Sequence, residues 1–122
     1  QEPNNISYLI KLANEIVGVI NINEIVRGGF QSGYLGFYAN IQYAGKGYMS
    51  AGLAAVLKAA FGKHHLHRLE ANIQTNNLKS IDLVKKHYFR KEGFSPRYLY
   101  INQAWRDHQR WALDIETWQT KQ

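Results

Sequence analysis

Two glycines one residue apart, Gly45 and Gly47, stand between an apolar run, Tyr34 to Ile41, and a helix-patterned run that starts at Tyr48. Without side chains they let the backbone take positive φ and lie close against a ligand. The first N–H groups of a helix have no partner inside it, and the helix dipole adds partial positive charge. The chemistry this corner offers is therefore the binding of an anion such as a phosphate. The neighbouring sequence agrees. Helices usually place Asp or Glu in their first turn, yet no acidic residue occurs from Ile25 to Leu69, a span that holds Arg27, Lys46, Lys58, Lys63 and Arg68. A bound anion would supply the missing negative charge.

The spacing excludes two familiar phosphate sites. A P-loop needs Ser or Thr after its Gly-Lys pair to hold magnesium, and Gly47 occupies that position here. A dinucleotide fold needs a third glycine where Ser50 stands, and an acid some ~20 residues later in a region that has none. What remains is Gln42-x-x-Gly45-x-Gly47 between a strand and a helix. The histidines His64, His65 and His67 fall at the end of that helix, where basic residues complement the dipole, so no metal is expected there. With no cysteine in the chain, a thiolate nucleophile, a disulfide framework and a thiolate metal site are all excluded.

A chain of 122 residues, 45% hydrophobic and 20% charged, is ordinary for one globular domain spanning residues 1–122, able to bury one core. No apolar run approaches the ~20 residues that span a bilayer, so membrane insertion is not expected and a soluble cytoplasmic protein is the default. The net charge of +6 and pI of 9.6 favour polyanionic partners, a coenzyme or RNA and the ribosome among them. Eight Tyr, three Trp and five Phe could stack bases, though such residues more often fill cores and grooves.

The elements that must position the glycine turn follow from periodicity. Ile6–Leu12 and Ile16–Ile22 are β-rich runs around Ala13-Asn14-Glu15, hence a hairpin; both are apolar enough to predict a sheet covered on both faces. A third strand covers about Tyr34 to Ile41. Met49, Leu53, Val56, Leu57, Ala60 and Phe61 recur at helical spacing. Arg68–Gln74 reads as a strand, parallel to the previous one because a helix joins them. Asn77 is a good N-cap for a helix over Leu78 to His87, with Leu78, Ile81, Val84 and Tyr88 as its apolar side. Ser95–Asn102 and Trp105–Ile115 complete the order β-β-β-α-β-α-β-β as a hairpin turning at Asn102-Gln103-Ala104.

The glycine turn, taken with Leu66-His-Arg-Leu-Glu-Ala-Asn72, Asn77-x-x-Ser80-Ile81, Phe89-Arg-Lys-Glu-Gly93, Arg97–Asn102 and Trp105-Arg-Asp-His108, resembles the RimJ/RimL acetyltransferases of the GNAT superfamily, on the RimJ side. The resemblance implies an α/β (α+β) fold: a mixed, mostly antiparallel sheet with two central splayed parallel strands and helices on both faces. It implies acetyl-CoA as cosubstrate, no metal, and direct transfer of the acetyl group to a primary amine, such as the N-terminal amine of a ribosomal protein. By position, the backbone of Phe37 and Ala39 would pair with the pantetheine arm. Gln42, Ala44, Gly45, Lys46, Gly47 and Tyr48 would hold the pyrophosphate, with Met49 beginning the helix behind it, and Asn72 and Asn77 would complete the coenzyme contacts. Asn77 could instead be only a cap, and Lys46 only an exposed charge.

Proton transfer is harder to assign. Where many superfamily members have a tyrosine acid in the second helix this chain has Val84, which leaves Ser80 one turn earlier to protonate the thiolate, or simply to bond its own backbone. The acid positions used as bases elsewhere in the superfamily fall near Gln31 to Gly33 and at Leu99, so Asp107 and His108 remain, with Glu70 behind them. Asp107 could instead be structural, pairing with a tail arginine such as Arg97 or Arg110, and water could carry the proton. Tyr88 replaces a family glycine at a helix end. Compared with a complete family member, the chain lacks a first strand and a helical pair before Ile6, which would leave a sheet edge for a neighbouring chain, as in a homodimer. The competing functions are a small-molecule amine acetyltransferase, polyamines included, and an inactive basic module that binds RNA or the ribosome.

Overall fold

The computed structural model describes residues 3–122. The chain forms β1 (Ile6–Leu12), β2 (Glu15–Val26), β3 (Ser32–Ala39), a 3-10 turn (Ile41–Tyr43), α1 (Tyr48–Phe61), β4 (Arg68–Gln74), α2 (Leu78–Lys86), β5 (Arg90–Ile101), β6 (Ala104–Asp114) and α3 (Ile115–Thr120). The six strands lie in the order β1-β2-β3-β4-β6-β5. Every pairing is antiparallel except β3 with β4, which run parallel only where Ser32, Gly33 and Tyr34 meet Arg68, Leu69 and Glu70. Past Tyr34 the two strands part. The remainder of β3 stays paired with β2, Phe37 opposite Ile20 and Ala39 opposite Gly18, while its β4-side edge has no strand beside it. The mixed, mostly antiparallel sheet with a splayed parallel pair is the expected one.

Alternation decides where the core sits. Ile20 and Ile22 of β2, Leu35 of β3, Leu69, Ala71 and Ile73 of β4, and Trp111 and Leu113 of β6 point to one side. There they meet Leu53, Val56, Leu57, Ala60 and Phe61 of α1, each worth roughly 1.5–3 kcal/mol for its larger side chains on burial. Ile81 and Val84 of α2 join the same cluster, and Trp118 of α3 lies 5.2 Å from Phe61, centroid to centroid. All three described helices thus pack on one face. Helices on both faces were expected, as was a sheet covered on both sides. Instead Leu9, Leu12 and Ile16 are exposed, and the second face carries the polar row Asn23, Tyr34 and Glu70, flanked by Arg68 and Asn72.

Two glycines bring α1 down onto the hairpin. A Cβ on Gly18 would enter the Met49 side chain, and one on Gly52 would enter Ile10. The start of α1 is therefore pressed over β1 and β2, beside the gap between β3 and β4.

Helix α2 keeps the cap read from its sequence, Asn77 Oδ1 accepting from Ser80 N at 3.2 Å. Its apolar side is narrower than expected: Ile81 and Val84 are buried, whereas Leu78 and Tyr88, at the overhanging ends, are exposed. Tyr88 holds the left-handed turn itself (φ +69°), with Tyr88 N donating to Lys85 O and Phe89 N to Val84 O, both at 3.0 Å. That is the Schellman arrangement, with Phe89 buried against the same core, made without its usual glycine.

The last hairpin turns on Asn102 and Gln103, both at positive φ, the geometry of a two-residue type I′ turn. It is longer than the sequence reading gave, because β5 begins at Arg90. The following helix α3 was not anticipated. Asp114 caps it, accepting from Thr117 N at 2.8 Å.

Candidate functional site

The 3-10 turn closes on itself and consumes its own donors. Asn40 Oδ1 accepts from Gln42 N at 3.0 Å, Asn40 O from Tyr43 N at 3.0 Å, and Ile41 O from Ala44 N at 3.2 Å. Beyond it the pattern changes. Gly45 and Gly47 sit at φ +78° and +80°, and the next amide to return to the chain is Ala51 N, donating to Gly47 O at 3.0 Å. Among the described residues the six amides of residues 45–50 have no protein acceptor. Gly47 gives α1 no side-chain cap, and the first turn holds no acid. Around each glycine, a Cβ would meet nothing within 4 Å. The concavity is open and its donors are free, as an anion cradle requires.

A cavity of about 690 Å³ extends from this cradle. Phe37, Tyr38 and Ala39 form its β3 wall, Tyr43 to Gly45 and Gly47 to Ser50 its floor, and Asn77, Lys79, Ser80, Asp82, Leu83 and Lys86 its α2 wall. The free edge of β3 runs along this space. Asn77 spends its carbonyl on the cap, which leaves its amide NH2 to donate. Ser80 Oγ has no hydrogen bond among the described residues. Lys79 and Lys86 flank Asp82 on the helix and add positive charge facing the cradle.

The structure thus gathers Phe37, Ala39, Ala44, Gly45, Gly47, Tyr48, Met49, Asn77 and Ser80 around one cavity. The side chains of Gln42 and Lys46 do not line it, although the Lys46 amide is one of the six free donors, and Asn72, Asp107 and His108 lie elsewhere. The Gln42 amide is held by Asn40, and Lys46 Nζ lies 5.9 Å from the centroid of the Tyr43 ring. Asn72 stands opposite Arg110 on the second face of the sheet. Asp107 Oδ1 accepts from the backbone N of Arg97 at 2.9 Å, closing the irregularity where β5 shifts register. His108 is 2% exposed. Its Nδ1 donates to Arg106 O at 3.0 Å. The Tyr98 ring meets it edge-on at 5.5 Å.

Sequence reasoning missed Lys79, Lys86 and His87. Lys79, Leu83 and Lys86 follow helical spacing on the face beside the buried one, a signal available in the sequence. His87, at the C-cap of α2, has its ring nitrogen Nε2 2.9 Å from Ser50 Oγ in the first turn of α1. Burial, and then the charge of Lys86, hold its pKa below the ordinary histidine value. On the second face Arg68 bridges Glu70 (2.8 Å) and Glu92 (2.5 Å), and its guanidinium holds the Glu92 carboxyl below its usual range.

The sequence matches the acetyltransferase (GNAT) domain family over residues 1–90. It is 39% identical over 104 residues to the [ribosomal protein uS5]-alanine N-acetyltransferase of Escherichia coli, an alignment covering 85% of this chain and 54% of that protein. The chain spans about half the length of the curated relatives it matches. Among solved structures it is similar to Mycobacterium smegmatis RimJ in complex with CoA-disulfide, with a TM-score of 0.89 and 33% identity over 93% of this chain and 54% of that one. The spermidine/spermine N-acetyltransferase SpeG of Vibrio cholerae shares the fold (TM-score 0.89) at 17% identity, over 98% of this chain and 72% of that one.

Proposed function

The chain belongs to the GNAT acetyltransferase family, and from that membership we propose that it binds acetyl-CoA in the cavity at the start of α1 and transfers the acetyl group to a primary amine. The observation that carries this reading is the run of six unpartnered amides over residues 45–50 at an uncapped helix start, opening on a cavity of about 690 Å³. Two phosphates need several donors and a positive potential, and backbone amides supply both without side-chain entropy. The free edge of β3 at Phe37 and Ala39 takes the pantetheine arm as an added strand would. Asn77 NH2 and Ser80 Oγ line the same cavity and are free to serve the thioester end of the coenzyme.

In this reading the neutral amine attacks the thioester carbonyl, the C–S bond breaks, and the Ser80 hydroxyl gives its proton to the departing thiolate, to be reprotonated from solvent. The amine loses its own proton through water. Asp107, engaged with the Arg97 amide, ties β5 to β6, and His108, buried with Nδ1 engaged by Arg106 O, packs within that hairpin.

The favoured acceptor is the N-terminal amine of a protein, in keeping with the alanine N-acetyltransferase activity named for the Escherichia coli relative, and association with the ribosome would follow from that acceptor and the charge of +6. The net charge of +6 disfavours polycationic acceptors such as polyamines. Acetyl-CoA is incubated with peptides beginning Ala or Ser and, separately, with spermidine, and products are read by mass spectrometry. Acetylated peptide N-termini are the expected result. Acetyl-spermidine alone would replace the acceptor, and salt-sensitive RNA affinity without acetyl-CoA binding would replace the enzyme by a binding module.

A further inference from the structure

Ser50 and His87 join the start of α1 to the end of α2 at the rim of the proposed coenzyme cavity. Ser50 lines the cavity and occupies the third position of α1, among the six free amides. His87 Nε2 is 2.9 Å from its Oγ. A hydroxyl has one hydrogen and two lone pairs. When it donates to the ring, it presents only lone pairs to the cavity. When the ring donates to it, its hydrogen is released toward the cavity.

Resting on the coenzyme reading above, we propose that His87 is a positioning residue: its Nε2–H donates to Ser50 Oγ, so that the Ser50 hydrogen is donated to the coenzyme's diphosphate and extends the amide cradle by one side-chain donor. The reverse orientation would place oxygen lone pairs against phosphate oxygens, which an anion disfavours.

The charges around the ring make this arrangement respond to the anion. On α2, Lys86 and Lys85 precede His87. Just after α3, Lys121 Nζ lies 5.0 Å from the centroid of the adjoining Tyr88 ring. On α1 the first turn offers no acid. Asp82 of α2, on the same cavity wall, and Glu116 of α3 are the carboxylates on these elements, and neither offsets the burial and the Lys86 charge that hold the His87 pKa below the ordinary histidine value in the free protein. A diphosphate on the cradle places negative charge one hydroxyl away and favours the imidazolium, which must donate from Nε2. Binding therefore takes up a proton between the lowered pKa of the free protein and the raised pKa of the complex, and affinity rises as pH falls through that interval.

The test is calorimetric titration of coenzyme A, and of inorganic pyrophosphate as a bare diphosphate probe, in two buffers of different ionisation enthalpy. Variants Ser50→Ala, His87→Leu and His87→Gln are compared with the unaltered chain, and thermal denaturation confirms that each is folded. Ser50→Ala and His87→Leu are expected to lose roughly tenfold or more in affinity for both probes, as for a hydrogen bond to a charged group. In turnover the loss falls on KM for acetyl-CoA. His87→Gln, whose amide also donates, is expected to restore most of the affinity while abolishing proton uptake, which a merely structural latch would not do. Retention of wild-type affinity within twofold by folded Ser50→Ala or His87→Leu overturns the proposal, as does undiminished proton uptake in His87→Gln. Should the unaltered chain fail to bind coenzyme A, the coenzyme reading falls and this inference with it; normal binding with indifferent variants removes the inference alone.

Discussion

Replacing Gly47 by Val separates the cradle's role in binding from its role in folding. In the free protein a Cβ at Gly47 meets nothing within 4 Å, so the first side-chain atom enters open space. The cost to the fold is the backbone alone: φ is +80°, a left-handed conformation worth about 1–2 kcal/mol against an L residue, somewhat more for a β-branched one. Against a typical domain stability of about 5–15 kcal/mol the variant remains folded. The isopropyl group, however, projects into the open space where the anion must sit. Losing two charge-assisted amide contacts at about 1.5–3 kcal/mol each removes about 3–6 kcal/mol of binding, a fall in affinity of roughly 100-fold or more. Calorimetric titration with acetyl-CoA is read beside urea denaturation of the same preparations. The expected result is a modest loss of stability with a much larger loss of affinity. A folded variant that binds acetyl-CoA within threefold of the unaltered chain would show that the anion does not rest on this turn, and the functional reading would fail with it.

Three further substitutions test parts of the same architecture. Asn77→Ala is expected to lose about 1 kcal/mol of stability with its cap, whereas Asn77→Asp keeps the cap and the stability but exchanges the cavity-facing NH2 for a carboxylate; titration should show weaker acetyl-CoA binding for both, and equal affinity in Asn77→Asp would assign this residue to capping alone. Gly52→Ala would gain about 1 kcal/mol in an open helix, but here its Cβ enters the Ile10 side chain, so chemical denaturation should show a net loss of about 1 kcal/mol or more that Ile10→Ala partly relieves. The carboxyls of Glu92, bonded to Arg68, and Asp114, bonded to the Thr117 N–H, have folded-state pKa values below their unfolded ones. Their contribution is fully present above the unfolded values and is lost as pH falls through the folded ones, so Tm should drop from about pH 5 downward. Glu92→Gln should flatten part of that drop, and an unchanged profile would deny the Arg68 pair any role in stability.

Much of this fold was legible because local patterns and global packing agree. Leu53, Val56, Leu57, Ala60 and Phe61 are all buried at the helical spacing from which α1 was read, and β4 begins and ends where its alternation does. The cradle was legible for a different reason. Positive φ at Gly45 and Gly47 follows from residue type, and the freedom of the helix-start amides follows from the absence of any capping side chain or acid, both of which a sequence displays. The β1 and β2 runs misled because their apolar residues were weighed by number rather than by side. Residues such as Leu9 and Ile16 are exposed, and the sheet has one clad face where two were expected. Arg90 to Gly93 was not read as strand because its charges hide the pattern. Glu92 leaves the strand register to bridge Arg68 and Arg90, and the Arg110 guanidinium lies where a Gly93 Cβ would be.

Proton carriers were the least legible part, and strand register explains why. Side chains alternate between faces, so one position along β6 decides whether a group meets the helices or the open face. Gln109 stands opposite Ile73 and so shares the helix-side face, whereas His108, opposite Gln74, shares the other. Asp107 and His108 therefore cannot serve one point together, although they are adjacent in sequence. Ser80 and Asn77 escape this ambiguity because a capped helix fixes their relative placement from the cap residue onward. A sequence can accordingly nominate a donor near a helix start with more authority than a base on a long hairpin, whose direction depends on bulges at Lys91/Gly93 and Ser95/Leu99 that no local pattern announces.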